Sequence, residues 1–243
     1  AVNFTKQFIE LGNTAIGRSE KGVVGTILFD DTINNLDPDG KGIVYFDSTQ
    51  IKEEDWNEKN YRYLKLAFKG NPFKVIIKKV STAERTNLSD VLKFFEFVEP
   101  NYFAVPGATE TEAASLKSWG ISLRNVQRSR VKTIKIVLKD PEGSSDSPYI
   151  TNLGNNEYET TLEGEFTAQE YTICRAGVLA GLSLMTSATY YKEPWLKRID
   201  IVKDLDEAIE KGQQVTIWDG EKFKIARGVT SFITPTASMG RSF

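Results

Sequence analysis

The sequence predicts an α/β fold with a mostly parallel sheet and one central buried helix. Two observations carry this. From Phe73 onward, apolar runs of strand length alternate with amphipathic segments of helix length, the order strand, helix, strand, helix, strand that right-handed crossover units produce. Between Tyr171 and Tyr191 the only charged residue is Arg175, so that stretch belongs in the interior. The chain's 243 residues, 40% hydrophobic and 26% charged, are ordinary globular composition, enough for one large domain or two moderate ones.

The first residues, Ala1 to Gly17, form an arm. Val2, Phe4, Phe8 and Ile9 are apolar, without a helix cap or strict alternation. The residues leave open whether the arm docks on its own domain or adds a strand to another subunit. Val23 to Phe29 is an apolar, β-branched strand whose Gly25 suggests a bulge or a close approach. Ile43 to Phe46 is a second, short strand. Between them, Asn35-x-Asp37-x-Asp39-Gly40 imitates half of a calcium loop, but Phe46 stands where the bidentate acid belongs, so the segment reads as a turn.

Glu53 to Lys69 is a helix with acids at its start and Lys69-Gly70 at its end. Phe73 to Val80 is a strand. Asn87 to Val98 is a helix with Leu88, Val91, Leu92, Phe95 and Val98 on one face, and Tyr102 to Val105 is a buried strand. Thr109 with Glu112 caps the next helix, which carries Leu116, Trp119 and Leu123. Val131 to Leu138 is a strand, and Asp140 to Pro148 a solvated loop. Tyr149 to Leu153 and Tyr158 to Leu162 are short strands.

Thr167 and Glu170 form a second capping box, so the central helix begins at Ala168. Tyr171, Cys174, Val178, Leu182 and Met185 follow at helical steps, and Ile173, Leu179 and Ala180 fill the other side, which implies burial all round. Gly177 and Gly181, four apart, allow another backbone to approach closely, and Cys174 reads as a small buried hydrophobe. After this come a strand at Arg198 to Val202, a short helix at Asp204 to Glu210, and a hairpin of Gln214 to Trp218 with Phe223 to Ala226 turning at Asp219-Gly220.

Several functions are disfavoured. A net charge of −2 with scattered Lys and Arg gives no footprint for nucleic acid. The central apolar run is shorter than the about 20 residues a membrane span needs and is interrupted by Arg175, so no membrane insertion is expected. One cysteine excludes an internal disulfide and permits intracellular synthesis, and the N-terminus shows no secretory pattern. The chain has no histidine, which removes the Ser-His-Asp and Cys-His arrangements and the commonest zinc ligand. No dinucleotide fingerprint, Walker spacing or Cys-x-x-Cys is present. No catalytic residue, cofactor site or metal site is therefore assigned.

Three stretches carry a resemblance. The first is Glu165-Phe166-Thr167, then Arg175-Ala176-Gly177-Val178-Leu179-Ala180-Gly181, then Ser187-Ala188-Thr189-Tyr190. The second is Lys222 to Thr234, where Ile225-Ala226-Arg227-Gly228-Val229 leads into Thr230, a position at which the family has asparagine. The third is Asn101 to Arg124, with Pro106, Trp119 and Leu123-Arg124. In this order the chain resembles the tail sheath proteins of contractile phages, in particular the short sheaths of clostridial-type prophages and phage-tail-like bacteriocins.

The resemblance implies an arm at 1–20, a small β-sandwich domain with a helix at 21–80, and a subtilisin-like α/β sheath domain without protease function at 81–243. A tube-facing domain and a C-terminal arm would follow Phe243, so a C-terminally truncated chain is expected. The implied function is structural: hexameric rings stacked helically around a tail tube protein, between baseplate and tail terminator, that contract to drive the tube through a target envelope. Synthesis in the bacterial cytoplasm and residence in a virion tail or phage-tail-like particle follow from the same resemblance. Val2, Phe4, Phe8 and Ile9 would join subunits, and Arg175, Gly177 and Gly181 would form the structural core. The rival is a histidine-poor α/β ligand-binding or enzymatic domain with a pocket near Val105 to Gly107, at the carboxyl ends of the parallel strands.

Overall fold

The computed structural model describes residues 22–32, 37, 40–85, 88–126, 134–140, 145–183 and 185–234. The arm residues Val2, Phe4, Phe8 and Ile9 lie outside this set. Seven strands form the main sheet: β1 (Val23–Phe29), β2 (Ile43–Tyr45), β3 (Lys74–Val80), β4 (Tyr102–Ala104), β5 (Lys135–Leu138), β6 (Ile150–Leu153) and β10 (Gln213–Gln214). Their spatial order is β10-β6-β5-β4-β1-β3-β2. Every pairing is parallel except that of the edge strand β2 with β3.

Both faces of this sheet are covered, and the alternation of side chains along the strands sorts the core. Val24, Leu28, Val75 and Ile77 face α1 (Glu58–Ala67) and α4 (Ala168–Gly181). Ile27, Ile76, Phe103 and Ile136 face α2 (Ser89–Val98) and α3 (Glu110–Val126). On that second face Phe95, Phe103 and Trp119 meet edge to face, with ring centroids 4.7 and 5.2 Å apart. A small antiparallel sheet, β8-β7-β9, is built from β7 (Glu157–Thr160), β8 (Gly164–Thr167) and β9 (Leu196–Ile199). After α5 (Leu205–Glu210) and β10 comes a hairpin, β11 (Thr216–Trp218) with β12 (Phe223–Ile225).

The separate β-sandwich expected over 21–80 is not what forms. That segment supplies β1, β2 and β3 to the large sheet, and β1 sits inside it, parallel to β3 on one side and to β4 on the other. The reason is visible in β1, where every residue but Phe29 is buried. A near-continuous apolar run suits a parallel strand covered on both faces, whereas a sandwich strand alternates. Gly25 makes no bulge. It admits α2 and the turn after it, since a Cβ there would lie 2.7 Å from Cγ of Pro100.

Other boundaries differ for local reasons. The helix expected from Glu53 begins at Glu58, because Trp56 is extended and buried and Asn57 caps the helix by accepting from the Asn60 amide at 2.9 Å. The central helix ends at Gly181, where Leu182 turns to ψ 134°, so Met185 is 95% exposed and is not a core residue. The strand expected at 214–218 divides at Val215, with Gln213–Gln214 joining β6 and Thr216–Trp218 joining β12.

Candidate functional site

The most constrained region is the contact of α4 with the end of α1. Both bonds of the capping box form: the Thr167 amide donates to Glu170 Oε2 at 2.8 Å and the Glu170 amide to Thr167 Oγ1 at 3.4 Å. Along the helix Gly177 and Gly181 meet backbone directly. A Cβ on Gly177 would lie 1.9 Å from the Ala67 carbonyl oxygen, and one on Gly181 would lie 1.7 Å from that of Gly70. Gly70 returns the contact, since a Cβ there would stand 2.2 Å from Cα of Val178.

Arg175 leaves the other side of α4 and is fully buried, as is its partner Glu193. Its Nη2 donates to Glu193 Oε2 at 3.1 Å and to Thr216 Oγ1 at 2.6 Å, and its Nη1 donates to Gln214 Oε1 at 3.0 Å. Glu193 also accepts from Tyr171 Oη at 3.1 Å and Thr216 Oγ1 at 2.8 Å. Burial alone works against the guanidinium's proton, but the carboxylate of Glu193 outweighs it and raises the pKa above the ordinary value. Beside it Tyr158 stacks on Tyr171 with centroids 3.9 Å apart. Cys174 lies in the same interior, its thiol pushed up to about 12, chiefly by burial and then by the nearby Glu193 charge. A thiol so placed is inert.

Sequence reasoning placed Arg175 inside but missed Glu193, Gln214 and Thr216. The signal for Glu193 was available: a buried arginine requires a carboxylate, and Glu193 follows the same apolar stretch. The motifs that carried the resemblance also meet in space. The Gly228 amide donates to Thr189 Oγ1 at 2.9 Å and the Tyr190 amide to the Ile225 carbonyl at 2.7 Å.

At the carboxyl ends of the parallel strands, where a ligand would be sought, the charged groups are held by protein partners, some charged and some neutral. Arg85 grips Glu112 at 2.6 and 2.7 Å and donates to the Gly107 carbonyl at 2.8 Å. Asp30, at the end of β1, accepts from Asn60 Nδ2 at 2.8 Å, the Asn57 amide at 2.9 Å and Thr32. An open groove of about 930 Å³ runs between α2 and α3, and there Trp119 Nε1 donates to Glu96 at 2.7 Å. Asp37, from the calcium-like turn, is taken by the Gly42 amide at 2.9 Å and by Lys78 at 2.7 Å. Among the described residues no three metal-ligating side chains gather, and no helix is long and apolar enough to cross a membrane.

Strand edges are the remaining feature. Among the described residues β9 pairs with β7 alone and β11 with β12 alone, and a groove of about 610 Å³ separates these two edges. Ile201 on its rim is 88% exposed and Trp218 is 53% exposed.

Comparison with known proteins gives a consistent result. The chain is 29% identical over 256 aligned positions to the tail sheath protein of Clostridium phage phiCD119, covering all of this chain and 66% of that protein. The chain thus spans just under two thirds of that relative's length. The sheath tail protein of Desulfitobacterium hafniense superposes with a TM-score of 0.73 at 13% identity, covering 92% of this chain and 74% of the other. The helical sheath of the anti-feeding prophage in its contracted state gives 0.62 at 13% identity, covering 86% and 62%. These two likenesses concern the fold. No family model matches the chain.

Proposed function

We propose that this chain, a relative of contractile tail sheath proteins, is part of a structural subunit that polymerises around a tail tube and contracts to drive it through a target envelope. The observation that carries the reading is the alignment of the whole chain, at 29% identity, with a phage tail sheath protein. The partners would be further copies in helically stacked hexameric rings, the tube protein, the baseplate and the tail terminator. Synthesis would take place in the bacterial cytoplasm, and the mature site would be a virion tail or related particle.

Physical features support the mechanical role. Head-to-tail contacts that do not close into a ring generate a helix of subunits, and an extended sheath waiting to contract is held by a kinetic barrier. A subunit that must rotate without unfolding benefits from an interior fixed by backbone contact at Gly177 and Gly181 and by the Arg175–Glu193 pair. The arm, with Val2, Phe4, Phe8 and Ile9, would keep neighbours joined during rotation by adding a strand to an open edge. The subunit would do this work without catalysis. The rival ligand site near Val105 to Gly107 finds its charged groups engaged with each other.

The test is electron microscopy of the complete protein, alone and with residues 1–11 deleted. Helical tubes from the complete protein, lost on deletion while the subunits stay folded, are expected. Tubes of normal length after deletion would overturn the role given to the arm. Turnover of a peptide or ester substrate that one point mutation in this chain abolishes would overturn the non-catalytic reading.

A further inference from the structure

We infer that Tyr190 anchors a contact between copies of the chain, in which its ring and the cations around it receive the acidic α5 of a second copy. The inference rests on the sheath reading and adds to it one pair of mutually fitting surfaces. It starts from a residue that the isolated subunit does not explain. Tyr190 has a φ of 60°, in the left-handed region where a bulky side chain is strained. It is the third residue of a turn from Ala188 to Tyr191, closed by the Tyr191 amide donating to the Ala188 carbonyl at 3.1 Å. A turn with positive φ at that place takes glycine or asparagine.

The backbone around Tyr190 is held from several directions. The Tyr190 amide donates to the Ile225 carbonyl at 2.7 Å, the Ile225 amide to the Tyr191 carbonyl at 3.0 Å, and the Gly228 amide to Thr189 Oγ1 at 2.9 Å. The ring takes no part in these bonds. It is 62% exposed, with the Lys224 ammonium 4.9 Å from its centroid. Glycine or asparagine would keep the same backbone bonds without the strain, so the use of the ring lies outside the subunit. Tyrosine is one of the side chains that dominate binding energy at interfaces.

Charge identifies the occupant. Lys192 stands opposite Lys224 in an antiparallel bridge, a like-charge pairing that is destabilising until an acid lies over it. Asp219 holds Lys224 at 2.7 Å, but among the described residues Lys192 and Arg227, both exposed, have no ion pair. Helix α5 is the complement. Asp204 caps it by accepting from the Glu207 amide and Glu207 holds Lys211 at 2.6 Å, while Asp206 and Glu210 are exposed and have no ion pair among the described residues. Within one chain the two surfaces do not meet. β12 lies between β11 and the 190–193 segment, and Leu205 of α5 lies across the groove on the far side of β11. A cationic flank on one side of the hairpin and an acidic flank on the other make a heterologous contact, which propagates head to tail from copy to copy.

The test uses the complete protein, with assembly followed by electron microscopy and subunit folding by thermal melting. Tyr190→Asn relieves the left-handed strain and removes the ring. It should melt no lower than the unsubstituted protein, yet raise the concentration at which tubes form by about tenfold or more. Tyr190→Phe should leave both unchanged. Lys192→Glu with Arg227→Glu should impair assembly, as should Asp206→Lys with Glu210→Lys, and a mixture of these two preparations should form tubes, because each reversed flank then meets its complement on the other protein. Normal tubes from Tyr190→Asn, or a lower melting temperature, overturn the anchor. A mixture that assembles no better than its components overturns α5 as the occupant, and a charge variant that melts lower shows that its charges act within one chain and overturns the second copy. If the unsubstituted protein forms no tubes, the sheath reading fails and this contact with it; if it does, the variants judge the contact alone.

Discussion

Arg175 and Glu193, neither with any solvent exposure, impose a steep condition at the residue scale, because each is tolerable inside only while the other is present. Glu193→Ala should lower stability by about 3 to 5 kcal/mol, measured by urea denaturation, because it strands a buried guanidinium. The paired change Arg175→Met with Glu193→Leu should recover most of that loss. A double variant no more stable than Glu193→Ala would show that the hydrogen bonds to Gln214 and Thr216, and not the ion pair, carry the site. Cys174 offers a second test at this scale. With its thiol raised to about 12 by burial, it should resist a thiol reagent at neutral pH and react only at the rate of unfolding. Rapid labelling of the native protein would contradict the packing described.

Helix α4 is positioned by what its glycines lack. In an exposed helix Gly→Ala stabilises by about 1 kcal/mol. At Gly177 and Gly181 the sign should reverse, because the new methyl would enter the space of a carbonyl oxygen on the α1 side, at 1.9 and 1.7 Å. Each alanine should destabilise by about 1 to 3 kcal/mol, and leucine by more. Unchanged melting temperatures in both alanine variants would mean that α1 can withdraw from α4 without cost. The cap of the same helix is a milder lever. Thr167→Ala should cost about 1 kcal/mol, and Thr167→Ser should restore it by keeping the oxygen that accepts from Glu170.

The whole molecule should lose stability in acid. Asp30, Glu112 and Glu170 are buried or half-buried near the carboxyl ends of the main strands, and their pKa values are lowered. Burial works the other way at all three, but hydrogen bonds outweigh it: from Asn60 and Thr32 to Asp30, from Arg85 to Glu112, and from Lys59 and the Thr167 amide to Glu170. Each depressed carboxyl contributes stability that is complete above its unfolded value near pH 4 and is lost as pH falls through the lower folded value. The urea midpoint should therefore hold steady from neutrality to about pH 5 and decline below about pH 4. A midpoint unchanged at pH 3 would show that these groups are no better placed in the folded chain than in the unfolded one.

Local chemistry determined what could be read from the residues alone. The capping box at Thr167, the β1 run from Val23, the alternation of strands and helices after Phe73 and the turn at Asp219-Gly220 each rest on neighbours a few residues apart, and each forms. The buried Arg175 was legible too, as the lone charge in an apolar stretch. Only the tertiary structure decided that Glu193, 18 residues away, answers it. Only the tertiary structure placed β1 in the middle of the sheet between β3 and β4, divided the last strand at Val215, and set Asn155 between two edges. These outcomes depend on pairings between segments far apart in sequence. Each segment's own pattern is compatible with several partners, and the choice among them is made by how the assembled faces pack and where every buried backbone group finds its bond.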